Sequence, residues 1–105
     1  MEYTKMVLYS SGKHHPAMDK YPAILDKYIN MEERRAFLDT VLASLAGVQG
    51  LDLYISGPLT PEMIGIFNIC MFKRKPIRLW CYDSAVKKYT QTTVPEFYRA
   101  QKGEK

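Results

Sequence analysis

The chain has 105 residues, 47% of them hydrophobic and 12% aromatic, and carries a formal net charge of +4. That length limits it to one domain with a real core, and the apolar content excludes a disordered chain. The positive surplus is modest and scattered, so it favours anionic partners without defining a nucleic-acid groove.

Met6 to Tyr9 reads as a short strand that stops at Ser10-Ser11-Gly12. Lys13-His14-His15-Pro16 is a polar loop. Pro22 to Ile29 places Ile24, Leu25, Tyr28 and Ile29 at helical spacing, which predicts a short helix. Asn30 with Glu33 forms a capping-box variant ahead of a longer helix. Leu38, Val41, Leu42 and Leu45 are its buried stripe, and Gly47 and Gly50 end it.

Leu51 to Ile55 is the second strand, closed by Ser56-Gly57-Pro58. Thr60 and Pro61 then supply an N-cap and a first-turn proline. Met63 to Phe72 is apolar nearly all round, which predicts a helix buried on more than one side. Ile77 to Tyr82 is the third strand, closed by Asp83-Ser84. Tyr89 to Val94 is a Thr-rich fourth strand, and its short connection requires an antiparallel hairpin.

The expected class is α/β with a small Rossmann-like sheet, in the order β-α-α-β-α-β-β. Three parallel strands are followed by one antiparallel strand. The domain covers 1–95, and 96–105 form a polar tail with a helical start. Tyr9, Tyr54 and Tyr82 read as strand and core-edge residues. Cys70 and Cys81 fall in buried elements and read as reduced thiols, not a disulfide framework. The first residues lack the apolar core of a secretory leader, and no apolar run reaches bilayer-spanning length. A cytoplasmic location without membrane contact is expected.

Leu8-Tyr9-Ser10-Ser11-Gly12 and Leu53-Tyr54-Ile55-Ser56-Gly57 repeat one another as Leu-Tyr-x-Ser-Gly. If both strands are parallel, their Ser-Gly turns share the sheet edge at which ligands bind in α/β folds. That edge gathers Ser10, Ser11, Gly12, Lys13, His14, Ser56, Gly57, Thr60 and Asp83. Hydroxyls, backbone N–H groups and a helix N-terminus suit a phosphate, and the helix after Thr60 is the best anion candidate. The alternative is that these are ordinary βα turns.

Adjacent His14 and His15 lack the spacing of metal ligands, so no metal and no cofactor is expected. No nucleophile-elbow, Walker or dinucleotide motif occurs. Asp83 suits a ribose hydroxyl or, the preferred reading, the cap of the turn that follows.

The run from Leu53 to Val94 combines a strand, Ser56-Gly57-Pro58, a helix and a strand ending in Tyr82-Asp83. In this it resembles small CRISPR-associated proteins that bind cyclic oligoadenylate, including ring nucleases. The resemblance implies a homodimer whose two sheet edges share one ligand, and a role in antiviral defence. Such families place a catalytic histidine on or beside the helix after the Ser-Gly turn. Here Thr60 to Phe72 has none, so binding carries over better than cleavage.

The leading expectation is a nucleotide-binding protein, a sensor or a sequestering sponge, that holds a small phosphorylated signal without chemistry. The alternatives are a metal-independent ring nuclease or phosphodiesterase using His14 or His15, and an interaction module with no small ligand. A homodimer or higher homo-oligomer is expected, and duplex nucleic acid is not.

Overall fold

The structure, a computed structural model, describes residues 2–10, 12, 14–25 and 33–101. Its strands are β1 (Tyr3–Tyr9), β2 (Ala23–Leu25), β3 (Gly50–Ile55), β4 (Ile77–Asp83) and β5 (Lys88–Thr92). Its helices are α1 (Arg34–Leu45), α2 (Pro61–Phe72) and α3 (Val94–Gln101), with a 3-10 turn at Pro16–Asp19. One five-stranded sheet has the order β2-β1-β3-β4-β5. All neighbours are parallel except β4 and β5.

The α/β class and the antiparallel hairpin are as expected from the sequence. The first expected helix is not. Ala23–Leu25 is a strand, with Ala23 beside Val7 and Leu25 beside Tyr9, so four strands are parallel and not three. The helical spacing of Ile24 and Leu25 lost to pairing along β1, which buries both residues and satisfies their backbone. The rest of that expected helix, and Asn30 of the capping box, lie outside the described residues. Glu33 is the N-cap of α1 and makes no side-chain capping bond.

The helix stripe also differs. Phe37, Val41 and Leu45 face the core, Leu42 is half-buried, and Leu38 is 42% exposed. Both stripes fit a 3.6-residue period, and packing against the sheet and α2 selects the one carrying the aromatic ring. The notch that admits this ring is Gly65 on α2, where an added Cβ would stand 2.7 Å from Phe37 Cε1.

Thr60 caps α2 as expected, its hydroxyl accepting the Met63 N–H at 3.3 Å. Arg74, at φ 55°, takes the left-handed position that closes α2, and the Lys75 N–H reaches back to the Cys70 carbonyl. Met63, Ile66, Phe67 and Cys70 are buried, whereas Met71 and Phe72 are 72% and 82% exposed. Val94 and Pro95, expected at the end of a strand, open α3, and Phe97 of α3 is buried in the core.

All three helices pack on one sheet face, against Met6, Leu8, Leu51, Leu53, Ile55 and Leu79. Right-handed crossovers explain this. The β2-to-β3 and β3-to-β4 connections advance in the same direction across the sheet, so α1 and α2 share a side. The β1-to-β2 connection runs the other way and places Pro16–Asp19 over the opposite face, where Ala17 packs on Val7 and Tyr54. No helix of the described residues is long and apolar enough to cross a membrane.

Candidate functional site

Strand order reverses between β1 and β3: the chain leaves β1 toward β2 and returns to β3 on the other side. Loops that depart in opposite directions open a crevice beyond the strand ends. A cleft of about 360 Å³ lies there, lined by Leu8 and Tyr9 of β1, Ile55 of β3, Met18, Met63 and the Ser56-Gly57-Pro58 turn. Gly12 and Thr60 complete the wall. The volume falls in the range of small-ligand pockets, and the wall is mostly apolar with a few polar groups at its rim.

Four of the nine expected residues line this cleft: Gly12, Ser56, Gly57 and Thr60. Gly12 and Gly57 stand at φ +121° and +93°, a region that other residues occupy at a cost, which lets both turns fold back sharply at the rim. Ser11 and Lys13 lie outside the described residues. Ser10 is exposed and donates its backbone N–H to the Leu25 carbonyl. His14 is exposed too, with Nε2 3.2 Å from an Asp19 carboxylate oxygen, and is not part of the cleft wall. Asp83 accepts the Ala85 N–H at 2.9 Å, the turn-capping role preferred from the sequence.

The start of α2 offers an anion less than its sequence suggested. Pro61 has no N–H, the Met63 N–H is held by the Thr60 hydroxyl, and the Ile64 N–H by the Thr60 carbonyl. The Glu62 carboxylate also sits in this first turn, where it answers the helix dipole itself. An anion is therefore better served by the backbone of the two glycine turns.

Tyr9 is the main residue of the cleft that the sequence reading left out. Burial pushes its phenol well above the ordinary tyrosine value, and hydrogen bonding to Glu62 and that residue's charge push it further. The signal was present in the repeat, but the register displaces it. Val7, not Tyr9, lies beside Tyr54, so the two Leu-Tyr-x-Ser-Gly copies are offset by two residues and Tyr9 projects beyond its counterpart.

His15 is also placed by the structure. Only 5% exposed, it stacks on Tyr82 with ring centroids 6.3 Å apart. The Tyr89 hydroxyl accepts the Ala17 N–H at 2.9 Å and shares a hydrogen bond with His15 Nδ1. Burial and the neighbouring His14 lower its basicity. It ties the Pro16–Asp19 turn to β5 and does not reach the cleft.

No family model matches the chain, and neither a curated protein nor a solved structure matches it. The class is defined by the fold alone: an α/β protein with a mixed five-stranded sheet and a cleft at its topological switch point.

Proposed function

We propose that the protein binds a small phosphorylated ligand, a nucleotide by preference, in the cleft between β1 and β3. The observation that carries this reading is the coincidence of the cleft with the switch point and with both glycine turns. The apolar wall of Leu8, Tyr9, Ile55 and Met63 suits a base or other flat body. The Gly12 and Ser56-Gly57 turns suit its phosphate. A cyclic oligonucleotide is larger than one such cleft and is held between two copies of the chain. The protein then serves as a sensor or a sponge.

A panel of mononucleotides, cyclic dinucleotides and cyclic oligoadenylates, followed by calorimetry and chromatography, tests this. One of them should bind and be recovered intact. Gly57→Val strains the turn without meeting any neighbour, since open space surrounds the added Cβ. It should abolish binding while the far-UV spectrum stays native. Unchanged affinity in that variant, or silence across the panel, removes the cleft as the site.

A second reading, breakdown of the bound ligand, draws on Tyr9 of the cleft wall and on Glu62 in the first turn of α2, between the cleft residues Thr60 and Met63. Neither histidine favours it, because His14 pairs with Asp19 and His15 is buried under tyrosines. Product formation that survives His14→Ala but drops at least about a hundredfold in Glu62→Gln would establish general acid-base work by Glu62. Recovery of intact ligand from wild-type protein rejects it.

A further inference from the structure

The face opposite the three helices is covered, among the described residues, only by the Pro16–Asp19 turn. A doubly wound fold normally lays a helix there. The sheet register sorts the side chains of this face into transverse rows. Lys5, Asp52 and Arg78 form one row across β1, β3 and β4. Val7, Tyr54, Trp80 and Gln91 form the next, continuing onto β5. Tyr82 and Tyr89 form a third. A charged row thus borders two aromatic ones.

The aromatic rings are closely grouped. Tyr54 and Trp80 lie nearly parallel, 10° apart with centroids at 5.7 Å, and Tyr21 approaches Tyr54 at 5.0 Å. Together with Lys20 and Tyr89 they line a groove of about 260 Å³. Cations frame it: Lys5 Nζ lies 5.7 Å from the Tyr21 ring, and the Arg78 guanidinium sits 3.7 Å over Tyr3. The acids of this region are already engaged, Asp52 with Arg78 and Asp19 with His14.

The chemistry of an occupant follows. Lysines beside the rings repel a cationic guest of the kind that aromatic cages hold. Flat rings need flat partners, and positive charge at their margin needs a polyanion. A duplex hides its base faces in the stack, whereas a single strand offers both the faces and the phosphates.

We propose that this sheet face binds single-stranded nucleic acid. The bases stack on Tyr21, Trp80 and Tyr89, and the phosphates lie along Lys5 and Lys20, since Arg78 is held by Asp52. The site is separate from the cleft and stands whether or not a nucleotide occupies that cleft.

The chain has one tryptophan, so its fluorescence reports this face directly. Trp80 emission is followed while twelve-base oligo(dT) or oligo(rU) is added at low salt. Quenching that saturates is expected with at least one of them, and the RNA and DNA arms rank the two sugars. Two phosphate contacts imply an affinity loss of roughly sevenfold between 50 and 200 mM salt. Lys5 and Lys20 are exposed, so the double variant Lys5→Gln, Lys20→Gln removes both charges without placing a like charge beside Asp52 and should weaken binding about fivefold or more. Gly57→Val should bind the oligonucleotide as the wild type does. A lack of both quenching and anisotropy change at low salt overturns the proposal. So does unaltered binding by the double variant, equal binding of a hairpin duplex, or protection of Trp80 by self-association alone.

Discussion

Asp52 shows how a buried charge is tolerated in a sheet. It is 1% exposed, yet Arg78 donates to both carboxylate oxygens at 2.7 and 2.8 Å and Trp80 Nε1 adds a third bond at 3.0 Å. Burial by itself raises the carboxyl. The bonds from Arg78 and Trp80 and the charges of Arg78 and Lys5 outweigh it and hold Asp52 below the ordinary value. A depressed carboxylate contributes stability above its unfolded value, near 3.8, and that contribution is lost as pH falls through the folded value. Asp52→Asn should therefore lower stability by about 1–3 kcal/mol at pH 7, the scale of hydrogen bonds to a charged group. Thermal melts should show the gap to wild type closing below about pH 4. His15 titrates with the opposite charge chemistry and the same slope. Its lowered folded value means that the unfolded chain takes up its proton first, so stability falls as pH drops below about 6.5. His15→Asn still offers Tyr89 an acceptor but cannot titrate. Its melting temperature should change less between pH 7 and 5 than that of wild type. An identical decline in both proteins would place the titrating group elsewhere.

At the scale of elements, the contact between α1 and α2 turns on one missing side chain. The Phe37 ring occupies the place of a Cβ at Gly65, and Phe37 is buried, so the ring has little room to withdraw. Alanine in a helix interior is worth up to about 1 kcal/mol over glycine. Overpacking of a core costs about 1–3 kcal/mol. The second effect wins here, and Gly65→Ala should lower the denaturation midpoint, whereas Gly65→Ala combined with Phe37→Leu should recover part of the loss. Helix α2 was legible because Thr60, Pro61 and an apolar run from Met63 to Phe72, interrupted by Asn68, agree. Strand β2 was not, because three residues are too few to display a period of two. What makes Ala23–Leu25 a strand is the long free edge of β1, which no local pattern contains. Leu38 and Phe37 were interchangeable by spacing, and the choice rests on Gly65, a residue distant in sequence.

The whole molecule keeps its core on one side of the sheet and leaves apolar surface on the helix layer. Leu38 and Phe72 are exposed where α1 meets α2 and line a second apolar groove of about 470 Å³, and Met71 of α2 is exposed as well. Burying such a patch against its own copy fits the dimer expected from the all-round apolar helix. Phe72 is the most exposed of the three, so Phe72→Glu should leave the fold intact. It should reduce the mass measured by sedimentation at micromolar concentration from about twice 12.2 kDa to that of one chain. A wild-type protein that already sediments as a monomer rejects the interface. The position of the cleft was legible from Ser56-Gly57 and the repeat, because glycine at a strand end marks a sharp turn wherever it lies. The composition of the cleft was not. Tyr9, Met18 and Met63 enter it from three separate elements, and only the strand order brings them together.

The Leu59 N–H, on the turn that follows Gly57, donates to the side chain of Gln101 at 3.1 Å. The last turn of α3 thus splints the loop at the mouth of the cleft, although the two are 42 positions apart. The ends of a short helix fray more readily than the strands of a sheet. Each opening of α3 releases this splint, so the Leu59 amide should exchange with solvent deuterium at the rate at which α3 frays. In Gln101→Ala that exchange should quicken while the amides of β3 keep their protection. The Leu59 amide is therefore a clock for motion of the loop at the cleft mouth.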